Sequence, residues 1–334
     1  MKKVFQLWGL SPDIASDEQL VLNAVHRMLE AKPDYLVAGQ TPNKQLLQTI
    51  CDLAHKQGVK VHQWSSLFSE NDFAKPFDPV IGADGRPHER VFGDNFNFRC
   101  SASDKNVQLF IDMQRESMKD TDIDGVFLDR VRYPALGNGP MACFCPDCLK
   151  RYEEAGIDAD AVRAQTDYGI IGYERGRHLF KDENTAKFFA HRAERITRAV
   201  QTIKDAFGEV SLDLFPPALA YIMGQDLESL APLAAFSKPM FYRYTTAPAG
   251  LPFELADFPQ FSMPEDEQIK QYEAISSGLY WGVEGGFYPG VVEMTPDRIR
   301  ESLHIIRENG GSGVCASWCM VNVPKENLDV FMEA

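Results

Sequence analysis

Along the chain, short runs dominated by Val, Ile, Leu, Phe, Tyr and Trp alternate with longer stretches whose apolar residues recur every three or four positions. The short runs are "KVFQLWGL" (3–10), "DYLVAGQ" (34–40), "VKVHQWSSLF" (59–68), "GVFLDRVRYP" (125–134), "VSLDLFPP" (210–217), "SKPMFYRY" (237–244), "GLYWGVEGG" (278–286) and "SGVCASWC" (312–319). Each has the length and composition of a strand. The stretches between them read as helices. In "NKQLLQTICDLAHKQG", Leu46, Leu47, Ile50, Cys51, Leu53 and Ala54 make one stripe and Gly58 supplies the stop. In "TPDRIRESLHIIRENGG", Thr295 stands as N-cap, Pro296 takes the first helical position, and Ile299, Leu303 and Ile306 point inward. Strand followed by helix, eight times over, predicts an α/β fold of the (β/α)8 TIM-barrel type. A doubly wound sheet would call for a glycine-rich phosphate loop after the first strand. "LWGLSPD" has one glycine, and "GNGP" (137–140) runs into a cysteine cluster instead of opening a helix.

Two connections are far longer than the ~4–6 residues usual in compact domains. Residues 69–100 follow the third strand and residues 134–185 the fourth. Both leave C-terminal strand ends, the face on which a barrel builds its active site. With no linker, internal repeat or low-complexity tract, residues 1–334 are expected to form one barrel domain with these two inserted loops.

No apolar run approaches the ~18–20 residues needed to cross a bilayer. The opening "MKKVFQLWGLSPD" is interrupted by Gln6 and ends at Gly9–Ser11, too short for a signal core, and reads as the first strand. A net charge of −14, from 48 acidic and 34 basic residues, repels nucleic acid and anionic membranes. The partner is therefore expected to be a small molecule that is neutral or held by a local basic pocket. Seven cysteines without a secretion signal point to a reducing compartment, with the cytoplasm as the default. The number of subunits is left open, a homo-oligomer included.

Side chains alternate along a strand, so an acid aimed into the barrel mouth shares parity with inward residues. Asp129 shares parity with Phe127, Asp213 with Ser211, and Glu284 with Gly282. Glycoside cleavage needs two carboxyl groups, roughly 5–5.5 or 6.5–9.5 Å apart. Asp129 with Glu284 is the first pairing expected, and Asp213 with either is the alternative. Such acids can equally serve ion pairs with Arg130, Arg132 or Arg243. A sugar also needs flat apolar faces and fixed polar groups. Trp64 and Trp318 are assigned to the pocket, with Asp213, Arg132, Tyr242 and Arg243 lining it. Trp281 is out of step with Glu284 and is expected to pack outward under a helix.

Cys143, Cys145 and Cys148 have the spacing C-x-C-x-x-C, which favours zinc and asks for a fourth ligand. Cys100, in "NFRCSASDKNV", lies on the same face, whereas Cys51 belongs to a helix stripe and Cys315 and Cys319 to the eighth strand. Free thiols, or a redox pair in the C-x-x-C of Cys145 and Cys148, are the alternatives.

Cysteines at 100, 143, 145 and 148 resemble the zinc-binding set of the family 42 β-galactosidases, which are (β/α)8 barrels with one ligand ahead of a C-x-C-x-x-C cluster. That resemblance implies a structural Zn2+ site and, because those enzymes end their fourth and seventh strands in catalytic glutamates, roles for Asp129 and Glu284. Where they carry Asn-Glu, this chain has Leu128-Asp129 followed by "RVRYP". That run is similar to uncharacterised bacterial glycoside hydrolase-like barrels with an LDxxRYP signature, in the style of α-galactosidase-type barrels whose fourth-strand aspartate is the nucleophile. "KPMFYRYTTAPAGLPFE" and "SWCMVNVPKENL" resemble the same group. Whether Asp129 is acid or nucleophile stays open.

The expectation is thus an enzyme: a glycosidase acting on a small carbohydrate. A barrel that binds carbohydrate without cleaving it is the alternative. The seven histidines form no H-x-H strand motif, which disfavours a metal-dependent hydrolase.

Overall fold

A computed structural model of the chain describes residues 1–9, 12–66, 69–70, 77–87, 97–135, 141–165 and 168–334. Position 10 of the first expected strand, positions 67–68 of the third, "GNGP" and parts of both long excursions lie outside the described residues. The eight expected strands are β1 (Lys2–Gln6), β2 (Tyr35–Ala38), β3 (Lys60–Ser66), β4 (Gly125–Asp129), β5 (Val210–Leu214), β6 (Ser237–Pro239), β7 (Trp281–Glu284) and β8 (Gly313–Ser317). They form one parallel sheet in the order β6-β5-β4-β3-β2-β1-β8-β7. The two ends of that order meet through parallel bridges from Ser237 to Leu279 and from Met240 to Gly282. The Tyr280 N–H donates to the Ser237 carbonyl at 2.9 Å and the Phe241 N–H to the Gly282 carbonyl at 3.0 Å, completing a (β/α)8 barrel.

Alternation along the strands divides the interior in two. Val4, Val37, Trp64, Phe127, Phe236, Tyr280 and Cys315 form a separate buried cluster inside the barrel. The opposite parity, including Leu36, Val61, Val126, Leu128 and Leu212, packs against the surrounding helices. His62, inside the barrel, is partnered: its Nδ1 lies 2.7 Å from the Ser211 hydroxyl. Trp281 faces outward, donating to Glu273 at 2.8 Å and packing on Phe241 and Tyr272.

Helices Glu18–Glu30, Lys44–His55, Asp104–Met118, Glu183–Phe207, Glu265–Glu273, Pro296–Glu308 and Lys325–Glu333 surround the sheet, and β5 is followed by the short helices Pro217–Ala220 and Leu227–Leu230. Their ends follow local chemistry. The Asn43 side chain accepts from the Leu46 N–H at 3.0 Å, and Thr295 caps Pro296–Glu308. Gly310, at φ +94°, follows where a Cβ would be strained. Among the described residues no helix is long and apolar enough to cross a membrane.

Both excursions carry structure of their own. After β3, Ser69–Glu70 pairs with Asn97–Phe98 in antiparallel register. After β4 come helices Pro146–Glu154 and Ala159–Arg163 and a hairpin of Ile170–Glu174 with Arg177–Phe180. A bridge between Gly82 and Ala142 ties the two excursions together.

Candidate active site and metal centre

The inward ladder that begins with Phe127 and Ser211 reaches the barrel mouth at two acids. Phe127 pairs with Ser211 and Leu128 with Leu212, so Asp129 and Asp213 are the next neighbours in register. Both line a cavity of about 550 Å³, within the usual range for small-molecule sites. The Asp129 carboxylate accepts from the Arg130 N–H at 2.6 Å, and Arg130 itself has a left-handed backbone at φ +54°.

Asp213 is held by a residue that parity counting on the other strands did not reach. Lys238, fully buried on β6, donates to Asp213 Oδ2 at 2.9 Å, to the Tyr242 hydroxyl at 2.8 Å and to Gln6 Oε1 at 3.2 Å. Three acceptors satisfy the ammonium. Burial alone would lower its pKa, but the charge of Asp213, the Tyr242 and Cys315 groups and the hydrogen bond to Asp213 together outweigh this and hold it above the usual lysine value. Burial pushes the Asp213 carboxyl up to about 7, against the pull of Lys238 and with a further push from Asp129. Asp213 Oδ1 has no hydrogen-bond partner among the described residues.

Around the acids lie groups suited to a sugar. Trp64, Tyr242 and Trp318 line the cavity, as assigned from sequence. Tyr288, unforeseen, stacks on Trp318 with ring centroids 5.4 Å apart and planes 8° apart. Arg130 and Arg132 also line it. Arg132 sits over the rings of Phe98 and Phe215, 5.0 Å from each centroid.

Two expected residues are placed elsewhere. Arg243 lies outside the cavity lining, where it donates to Glu265 at 2.6 Å and Glu301 at 2.9 Å and joins two outer helices. Glu284 is buried and also outside the lining. Its Oε1 accepts from the Tyr244 N–H at 2.9 Å, the Thr245 N–H at 3.2 Å and the Thr245 hydroxyl at 3.1 Å. Burial raises its pKa while those donors pull it down. Residues 247–249 of the same strap form cavity wall, so Glu284 anchors a segment that faces the site.

The four cysteines do converge. The sulfur atoms of Cys100, Cys143, Cys145 and Cys148 all lie within 4.8 Å of one another and are buried. Cys100 Sγ is 3.7 Å from Cys145 Sγ and 3.6 Å from Cys148 Sγ. A tetrahedral zinc with bonds of about 2.3 Å sets its sulfurs about 3.8 Å apart, so this donor set fits such an ion. The backbone is organised to present them. Cys145 precedes helix Pro146–Glu154 as its N-cap, with Cys148 in the first turn. The Cys100 N–H donates to the Asp78 carbonyl at 2.9 Å, the Tyr152 hydroxyl to the Cys143 carbonyl at 2.8 Å, and the Ile81 N–H to Cys143 Sγ at 3.4 Å. Hydrogen bonds from Cys100, Cys143 and Cys148 hold the Cys145 thiol well below its usual value.

The sequence matches no protein-family model and no curated protein. Solved structures do resemble it. The glycoside hydrolase domain of PgaB (BpsB) from Bordetella bronchiseptica superposes with a TM-score of 0.67 at 13% identity, over 98% of this chain and 96% of that one. A β-galactosidase from the psychrophilic Marinomonas ef1 gives 0.58 at 11% identity, over 100% of this chain and 59% of that one. Gan42B, a family GH42 β-galactosidase from G. stearothermophilus, gives 0.55 at 10% identity, over 94% of this chain and 51% of that one. At such identities the likeness is one of fold, and the fold this chain shares with these glycoside hydrolase structures is the (β/α)8 barrel.

Proposed function

We propose that this barrel is a glycoside hydrolase acting on a small glycoside or oligosaccharide, with Asp213 as proton donor and Asp129 as nucleophile or base. The observation that carries the reading is the pair of carboxyl groups on neighbouring strands lining one cavity with Trp64 and Trp318. A carboxyl group held near 7 beside a second, more exposed one is the division of labour that acid-assisted cleavage requires. With Oδ2 taken by Lys238, the proton of Asp213 belongs on Oδ1. The Arg130 N–H fixes Asp129 so that its second oxygen is the one offered to substrate. Glu284, the partner first expected for Asp129, takes a supporting role under the strap at 244–250.

The same reading takes the thiol cluster as a structural zinc site in a protein of the reducing cytoplasm. Four thiolates fill a tetrahedral shell and leave no position for water, so Cys100, Cys143, Cys145 and Cys148 fasten the excursions and take no part in cleavage.

A panel of aryl glycosides assayed with wild type, Asp129→Asn and Asp213→Asn tests the pair. Both variants should be inactive on whatever the wild type cleaves. Full activity in either removes that residue from the chemistry. A wild type that binds oligosaccharide yet cleaves none of the panel supports the carbohydrate-binding alternative instead.

A further inference from the structure

Arg132 is a buried cation with an unfilled valence. It is 3% exposed, and among the described residues only one of its five N–H donors is used: Nη1 donates to the Tyr133 carbonyl at 3.1 Å. No acid lies within salt-bridge distance of it among the described residues; Glu254, Asp129 and Asp213 act on it only through space. Burial lowers its pKa to about 10, which leaves it charged at neutral pH. Phe98 and Phe215 cover the guanidinium with their ring faces, leaving its N–H edge for a partner. It lines the cavity, and Arg130 lines the same wall. Burying a guanidinium without a carboxylate is costly; Arg192 bears that cost among aromatic rings away from the cavity, whereas Arg132 borders a space that a ligand can enter.

We infer that the substrate carries a carboxylate, as a uronic acid does, and that Arg132 binds it edge-on in the cavity shared with Asp129 and Asp213. A planar carboxylate matches the fork of a guanidinium with two parallel hydrogen bonds. Because the chain as a whole carries −14, an anionic sugar gains nothing from long-range attraction, and its selection rests on this local contact. The inference rests on the glycosidase reading for the nature of the substrate, and on Arg132 alone for its charge.

The test uses matched aryl glycosides that differ only at C6, glucoside against glucuronide and galactoside against galacturonide in both anomers, with the full-length wild type. The uronide of at least one pair should have a kcat/KM roughly tenfold or more above its neutral partner. Arg132→Gln should erase that preference, while Arg132→Lys keeps part of it. A neutral glycoside cleaved better than its uronide, or an Arg132→Gln variant that slows both members equally, overturns the inference and leaves the glycosidase intact. Should no aryl glycoside be cleaved, quenching of Trp64 and Trp318 fluorescence by glucuronate and galacturonate, set against glucose and galactose, decides it on wild type alone. Binding confined to the acids retains the carboxylate site without the hydrolase. Binding of neither, or of both equally, rejects it.

Discussion

The thiol nest and the acid cavity lie on the same face of the barrel, yet they are built on opposite terms. In the nest, four identical donors answer one another and the surrounding backbone, with Asp78, Ile81 and Tyr152 completing the contacts. In the cavity the balance is deliberately incomplete. Among the described residues, Asp213 Oδ1 has no partner and Arg132 uses one donor of five. A cluster that satisfies itself serves the fold, while groups left unsatisfied at a barrel mouth are available to a ligand.

That contrast can be broken by exchange of effects. Asp213→Asn should cut turnover by about 10³-fold or more, with a much smaller loss of stability, since the amide keeps an acceptor for Lys238 although the counter-charge is gone. A variant that unfolds as readily as it loses activity would place Asp213 with the structural groups. Cys148→Ser, or metal removal with a strong chelator, should do the reverse. Stability is expected to fall by about 3 kcal/mol or more in denaturant unfolding, and elemental analysis of the untreated protein should find about one zinc per chain. A metal-free chain of undiminished stability would remove the structural ion.

A finer distinction lies within the cavity. Activity that needs protonated Asp213 declines as pH rises through about 7. Lys238 favours the ionised carboxyl, so Lys238→Met should raise the Asp213 pKa and carry the alkaline limb of kcat/KM upward by about one unit or more. A limb that stays put or moves to lower pH would detach it from Asp213. The smallest effect belongs to Glu284→Gln, which keeps an acceptor for Tyr244 and Thr245. Its turnover should stay within about tenfold of wild type, at a stability cost near 1 kcal/mol. A loss as deep as that of Asp213→Asn would restore the pairing of Asp129 with Glu284.

The barrel was legible because strands buried on both sides are short and apolar, and helix stripes between them are marked by caps such as Asn43 and Thr295. Inward parity placed Asp129 and Asp213 for the same reason, and spacing alone brought three of the cysteines together. The misplacements arise separately. Lys238, Met240 and Tyr242 share parity and turn to the interior, so Arg243, the next residue, falls on the opposite side and reaches the outer helices. Glu284 keeps its parity, but donors from Tyr244 and Thr245, about 40 residues earlier in the chain, claim one oxygen of its carboxylate, Oε1. Lys238 went unread because a lysine in a short strand looks like a solvated one until the ladder shows an acid opposite.

Phe98, which covers Arg132, stands two residues before Cys100 on the same short segment. Wall and fastening are consequently one cassette. A substitution or insertion between Phe98 and Cys100 would therefore part the aromatic wall over Arg132 from the thiol cluster that fastens it. The strap at 244–250, held by Glu284, supplies wall residues 247–249 and touches no thiol, so under the proposed function it is the part of the cavity that can change without disturbing the cluster.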